Sequence, residues 1–146
     1  MLWRKSPTSS TKPKPQKRSS PRRVTLPRGA FLRIVGDSMT PTLRDGQIIF
    51  VNTRAFRRRA PQRGELVVAR PAASGRRLVV KRLAGVPHDT VMVDGAPRRL
   101  QTGEFFLLGE HASASTDSRS FGPVRKRELL GPVRFSLWPW RRLRPA

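Results

Sequence analysis

The chain has 146 residues, with 31 Lys and Arg against 9 Asp and Glu, no Cys and 2 His, for a formal net charge of +22. That length suits one domain with tails, and the charge favours anionic partners. The missing cysteines exclude disulfides and thiolate chemistry, and two histidines are too few for an all-His metal site, so no metal or cofactor is expected.

Residues 1–28 are rich in Ser, Thr, Pro, Lys and Arg and are expected to form a disordered basic tail, because they bury too little surface to offset the entropy of ordering. MLWRKSPTSSTK lacks the apolar middle of a secretory signal, and five prolines oppose the amphipathic helix of a transit peptide. No apolar run approaches the roughly 20 residues of a membrane span. The expected location is cytoplasmic, with peripheral contact to an anionic membrane surface as a further expectation.

From Phe31 the pattern has a period of two: FLRIV, QIIFVN, ELVVAR, RLVVKRLA, TVMV, FFLLG and LGPVRF are short apolar runs separated by Gly, Pro and Asp. Asp94-Gly95 predicts a tight hairpin and Asp45-Gly46 a second turn. Short helices are expected only at Pro41 to Arg44 and near Val124 to Leu129. The longest connections are Thr53 to Gly64 and Gly109 to Gly122. The sum is a mostly β fold, a small coiled antiparallel or mixed β domain over residues 29–136, followed by a basic Trp/Arg tail over 137–146. In that tail Trp138 and Trp140, with Arg141, Arg142 and Arg144, match either an interfacial belt or the closing end of the core.

Three places hold chemistry. Ser38 sits in the turn GDSMTPTLRDG, where a hydroxyl at the mouth of a sheet is either a nucleophile or a turn former. A nucleophile needs a base; His88 or His111 with Asp37 or Asp117 is one set, and Lys81 is the other. In LVVKRLA, alternation places Val79, Lys81 and Leu83 on one face. If that face is buried, desolvation lowers the lysine pKa; if the strand is an edge, the ammonium snorkels to water. Finally, GEHASASTDSRSFGPV crowds Ser113, Ser115, Asp117, Ser118 and Arg119 into one loop, a set able to orient an amine.

With these residues in order, the chain resembles the signal peptidase I family of Ser-Lys endopeptidases from about Phe31 to Phe135. GDSMTPTL resembles its nucleophile motif, Gly64 to Val68 its next strand, Val80 to Asp89 its lysine motif with His88 in place of glycine, and Gly109 to Val124 its last motif. The resemblance implies that Ser38 is the nucleophile, Lys81 the general base and Ser115 the residue that positions the amine, with Asp117 and Arg119 supporting the loop. It also implies an oxyanion donor in the Ser38 backbone N–H, and puts Gly36 where many relatives carry a hydroxyl as the second donor. Glu110-His111 replaces Asp-Asn, with Glu110 expected to pair with Arg82. The implied partner is a precursor protein with an N-terminal leader.

Typical members carry an N-terminal membrane anchor, which is not expected here. The run ASTDSRSFGPV, the closing Gly131-Pro132-Val133 and the Trp-Pro near the end look most like the short maturation proteases of nickel-type superoxide dismutase. The alternatives are a general signal peptidase acting on secretory preproteins, a self-cleaving repressor, and a decayed basic module that binds membrane or nucleic acid. The repressor reading lacks an Ala-Gly or Cys-Gly cleavage site before Gly36. Nucleic acid is not expected as the main partner, because aromatic interleaving is missing and Tyr is absent.

Overall fold

A computed structural model describes residues 27–137 and the backbone of 140–142; residues 1–26 of the expected basic tail over 1–28, together with Trp138 and Arg144, lie outside the described residues. The strands are β1 Gly29–Arg33, β2 Ile48–Asn52, β3 Leu66–Ala69, β4 Val79–Gly85, β5 Thr90–Val93, β6 Ala96–Arg99, β7 Glu104–Leu108, β8 Val124–Arg125, β9 Leu129–Leu137 and β10 Trp140–Arg142. Two four-residue helices join them, α1 Ala55–Arg58 and α2 Ser118–Phe121. One sheet runs β1-β2-β9-β3-β4-β7-β8 with β10 on β9, while β5 and β6 form a separate hairpin, and the described pairings are antiparallel.

The sheet curls because β9 changes partners along its length. Its first part, Leu129 to Pro132, pairs with β3, and Val133 to Ser136 pairs with β2. Gly131-Pro132 stands at the switch. Proline gives the ladder no N–H there, and a Cβ on Gly131 would lie 2.1 Å from the Asn52 carbonyl oxygen. Register shifts at Phe50/Val51, Val68/Ala69 and Leu83/Gly85 add local bending.

Curling gives the central strand two apolar sides. Leu66 and Val68 pack with Ile34, Met39, Leu43, Ile49, Val51 and Val133, while Val67 and Ala69 pack with Phe56, Leu83, Phe105, Leu107, Val124 and Leu129. This is why LVVA reads as a continuous apolar run rather than an alternation.

The mostly β, coiled antiparallel reading therefore holds, and the short helices fall elsewhere than expected. Pro41 to Arg44 forms a turn closed by the Leu43 N–H on the Met39 carbonyl. Val124 to Leu129 splits into β8, a single 3-10 turn and the start of β9, since Val124 and Leu129 both enter the second core. The two helices instead sit in the two longest connections, α1 driven in by buried Phe56 and α2 capped by Asp117. Asp94 and Gly95 have φ of 51° and 76°, as the expected hairpin turn requires.

A repeated turn explains one odd residue. In QRGE (62–65) and QTGE (101–104) the carboxylate accepts the N–H of the residue three before it, and Gly64 and Gly103 have φ of 88° and 77°. VPHD (86–89) makes the same turn, with Asp89 accepting from the Val86 N–H, but its third residue is His88 at φ 73°. A side chain there is strained. Replacing His88 with Gly is expected to stabilise the fold by about 1 kcal/mol, a rise of roughly 4 °C in thermal midpoint. An unchanged or lower midpoint by calorimetry contradicts this.

Candidate active site

Ser38 is held by its neighbours rather than by its own side chain. Met39 and Leu43 are buried in the first core and anchor the turn from below. Hydrogen bonds close it at the neck: Ile34 N–H to the Gln47 carbonyl, Gly46 N–H to the Ile34 carbonyl, and Gly36 N–H to Asp45 Oδ1 at 2.8 Å. Gly36 takes φ of 85°, and a Cβ there would meet nothing within 4 Å. The turn thus presents Ser38 at a cleft of about 480 Å³ that Lys81 also lines.

Lys81 lies on β4 opposite Val67, in the face shared with Leu83, and only 4% of it is exposed. The strand is interior, between β3 and β7, so its ammonium does not snorkel out. Burial lowers its pKa from the ordinary value; the charge of Asp117 pulls the other way and that of Arg119 adds to the lowering. Its Nζ donates to Ser115 Oγ at 3.0 Å.

Ser115 hands the bond on, since its hydroxyl donates to Asp117 Oδ2 at 2.9 Å. Asp117 is fully buried and takes further bonds from the Gly109 N–H, the Arg119 N–H and the Arg119 guanidinium. Burial alone raises the pKa of such a carboxyl, but the Arg119 fork and the three other donors outweigh it and hold Asp117 at about 2. Its contribution to stability is therefore whole above the ordinary carboxylate value and is lost as pH falls through about 2. Arg119 has a second effect: by neutralising Asp117 it keeps that carboxylate from fixing a proton on Lys81.

The structure thus brings Ser38 and Lys81 to one cleft and joins Lys81 to Ser115, Asp117 and Arg119 in one chain of bonds. Neither histidine lines the cleft with its ring. His88 sits in the β4–β5 turn with its N–H on the Leu100 carbonyl, and the His111 ring meets Ser113 Oγ at 3.1 Å.

Sequence reasoning missed how the three segments are fastened together. Glu110 pairs with Arg82 as expected, but it also accepts from Thr42 Oγ1, tying the Ser38 turn to the strand residue beside Lys81. The His111 N–H donates to the Ser38 carbonyl at 3.0 Å, which gives that residue a backbone role. Gly109 lies between the two: a Cβ there would sit 2.0 Å from Ser115 Oγ and 2.9 Å from the Ser38 carbonyl oxygen. In the sequence it ends FFLLG and opens the motif Gly109 to Val124, but neither place signals this close packing.

The chain is similar to known proteins along most of its length. The family described as "Signal peptidase, peptidase S26" matches residues 28–97 and 93–138. The mouse mitochondrial inner membrane protease subunit 1 is 28% identical over 118 residues, 77% of this chain and 71% of that protein. Subunit 2 of the same protease from Danio rerio is 29% identical over 135 residues, covering 84% and 74%. Signal peptidase IB of Staphylococcus aureus is 26% identical over 148 residues, covering 73% and 76%. With the family pattern matched from the first strand to the last long one, the chain belongs to the signal peptidase family, peptidase S26.

Proposed function

We propose that the protein is a serine endopeptidase with a Ser38–Lys81 dyad that removes an N-terminal leader from a precursor protein. The observation that carries the dyad is the burial of Lys81 in the cleft that Ser38 lines, with its pKa lowered and Ser115 holding its amine. Neutral Lys81 takes the Ser38 proton as Oγ attacks the scissile carbonyl. The acyl-enzyme forms as the amine leaves with a proton from Lys81, and a water deprotonated by the same lysine then hydrolyses it. The Ser38 N–H, which meets no backbone acceptor among the described residues, stabilises the oxyanion. Gly36 adds no such bond with its own N–H, which is committed to Asp45.

The cleft suits an extended peptide. Its walls include Ile34, Val35 and Leu78, and Val35 is 87% exposed, so apolar side chains flank the reacting pair. For the substrate, the ASTDSRSFGPV loop and the Gly131-Pro132-Val133 segment support the precursor of nickel-type superoxide dismutase, processed in the cytoplasm. Likeness to signal peptidase IB favours a second reading, cleavage of secretory preproteins at a membrane surface. Among the described residues no helix is long and apolar enough to cross a membrane.

The test is to incubate wild type, Ser38→Ala and Lys81→Ala with the dismutase precursor and, separately, with a secretory preprotein, and to read new N-termini by mass spectrometry. Wild type should cut the first at the leader junction, and both variants should be silent. Cleavage of the preprotein alone moves the substrate to the second reading; equal cutting by all three proteins removes the dyad.

A further inference from the structure

Five of the nine Asp and Glu side chains of this chain form ion pairs among the described residues. Glu65 pairs with Arg59, Asp89 with Arg63, Glu104 with Arg98 and Arg125, Glu110 with Arg82, and Asp117 with Arg119. A group of arginines at the other end of β1 and β2 has no ion-pair partner among the described residues. Arg28, Arg54 and Arg58 line a pocket of about 350 Å³, floored by Phe50, Asn52 and Gly29, that shares no residue with the Ser38 cleft.

Local structure fixes this cluster. The Arg28 carbonyl accepts the Thr53 N–H, which holds the start of β1 against the end of β2. Arg54 precedes α1, its N–H on Asn52 Oδ1, and Arg58 follows four residues later, on the same side of the helical turn. Arg59 turns away to Glu65 and lies over the Phe56 ring. Gly29 leaves the pocket its floor, since a Cβ there would lie 2.4 Å from the Phe50 ring. Phe50 stacks on Phe135 at 5.0 Å and tilts against Phe31 at 5.1 Å, and Phe31 is 60% exposed.

Three arginines line one hollow, and among the described residues no carboxylate lines it to offset their mutual repulsion. An anion with several acceptor oxygens removes that cost, and guanidinium forks match phosphate in particular. The Asn52 amide N–H₂ adds a neutral donor, and the aromatic floor offers an apolar surface to whatever carries the phosphate. We propose that Arg28, Arg54 and Arg58 form a binding site for a phosphate ester, separate from the peptidase cleft. The ester is either a soluble organic phosphate or the headgroup of an anionic phospholipid, and the chemistry recognised is the same.

The full chain is titrated with inorganic phosphate at constant ionic strength, chloride making up the balance, and the thermal midpoint is followed. Wild type should rise with phosphate. Arg28→Gln/Arg54→Gln/Arg58→Gln should show an affinity on the order of tenfold weaker or less. Arg44→Gln/Arg77→Gln/Arg99→Gln removes the same charge from exposed positions elsewhere and should behave as wild type. No rise in wild type, or an equal response from both triple variants, reduces the cluster to diffuse charge and overturns the site. Retained peptidase activity in the pocket variant shows that it is folded. Sedimentation with phosphatidylglycerol or phosphatidylcholine vesicles then assigns the source. Weaker binding of the pocket variant to phosphatidylglycerol than of the control triple identifies a lipid headgroup; equal binding with the phosphate response intact identifies a soluble ester.

Discussion

Replacing Lys81 with Met is expected to abolish cleavage and to make the protein more stable. The first effect follows from losing the only amine that lines the cleft beside Ser38 among the described residues; removal of a general base costs roughly 10²- to 10⁴-fold in rate. The second follows from burial. An amine that is 4% exposed is costly to keep charged, and its pKa is pushed below the ordinary value of 10.5 mainly for that reason. Methionine fills a similar volume with no charge to desolvate, and such replacements stabilise by about 1 to 4 kcal/mol. Ser115 keeps its bond to Asp117 in the variant, so no buried hydroxyl is orphaned.

The pH dependence carries a sign that separates this account from an ordinary charged lysine. Unfolded chains keep the Lys81 proton up to about 10.5, whereas the folded protein releases it earlier. The destabilisation is therefore whole below the folded pKa and is relieved as pH climbs from there to 10.5. The stability advantage of the Met variant should shrink across that same interval, while wild-type kcat/KM rises with the loss of one proton. Urea unfolding and initial rates measured across alkaline pH give both curves. A stability gap that does not change with pH, or cleavage that persists in the Met variant, sinks the assignment.

Much of this site was written in short-range patterns. Alternation in LVVKRLA set Lys81 beside Leu83, and the interior place of β4 made that face a buried one. Turn chemistry at Asp94-Gly95 was equally legible because it depends on two adjacent residues. The placing of the helices was not, since α1 exists through the burial of Phe56 and α2 through an Asp117 cap that also serves the lysine chain. The fastening of Glu110 to Thr42 joins residues 68 positions apart, a separation that no local pattern encodes, whereas its pairing with Arg82 was readable through the family resemblance. Gly36 was legible as a departure from the family pattern, but only coordinates show that its N–H is already taken by Asp45.

Gly109→Ala is expected to lower stability and activity together. Gly109 is not in a left-handed conformation, so the defect is one of space alone. The added Cβ falls 2.0 Å from Ser115 Oγ and 2.4 Å from Ser115 Cβ, and both are placed by bonds to Lys81 and Asp117. Ser115 must move, and the lysine amine then loses the acceptor that aims it. Overpacking of this kind costs about 1 to 3 kcal/mol of stability, and a misplaced base on the order of 10²-fold in rate. A second substitution tells the causes apart. In a Ser115→Gly background the two closest contacts vanish, and the Ser38 carbonyl at 2.9 Å becomes the nearest. There Gly109→Ala should cost less stability than it does in wild type, while activity stays low because Lys81 still lacks the Ser115 hydroxyl. Equal stability losses in both backgrounds would place the strain elsewhere, and full cleavage by Gly109→Ala would show that the amine needs no hydroxyl to hold it.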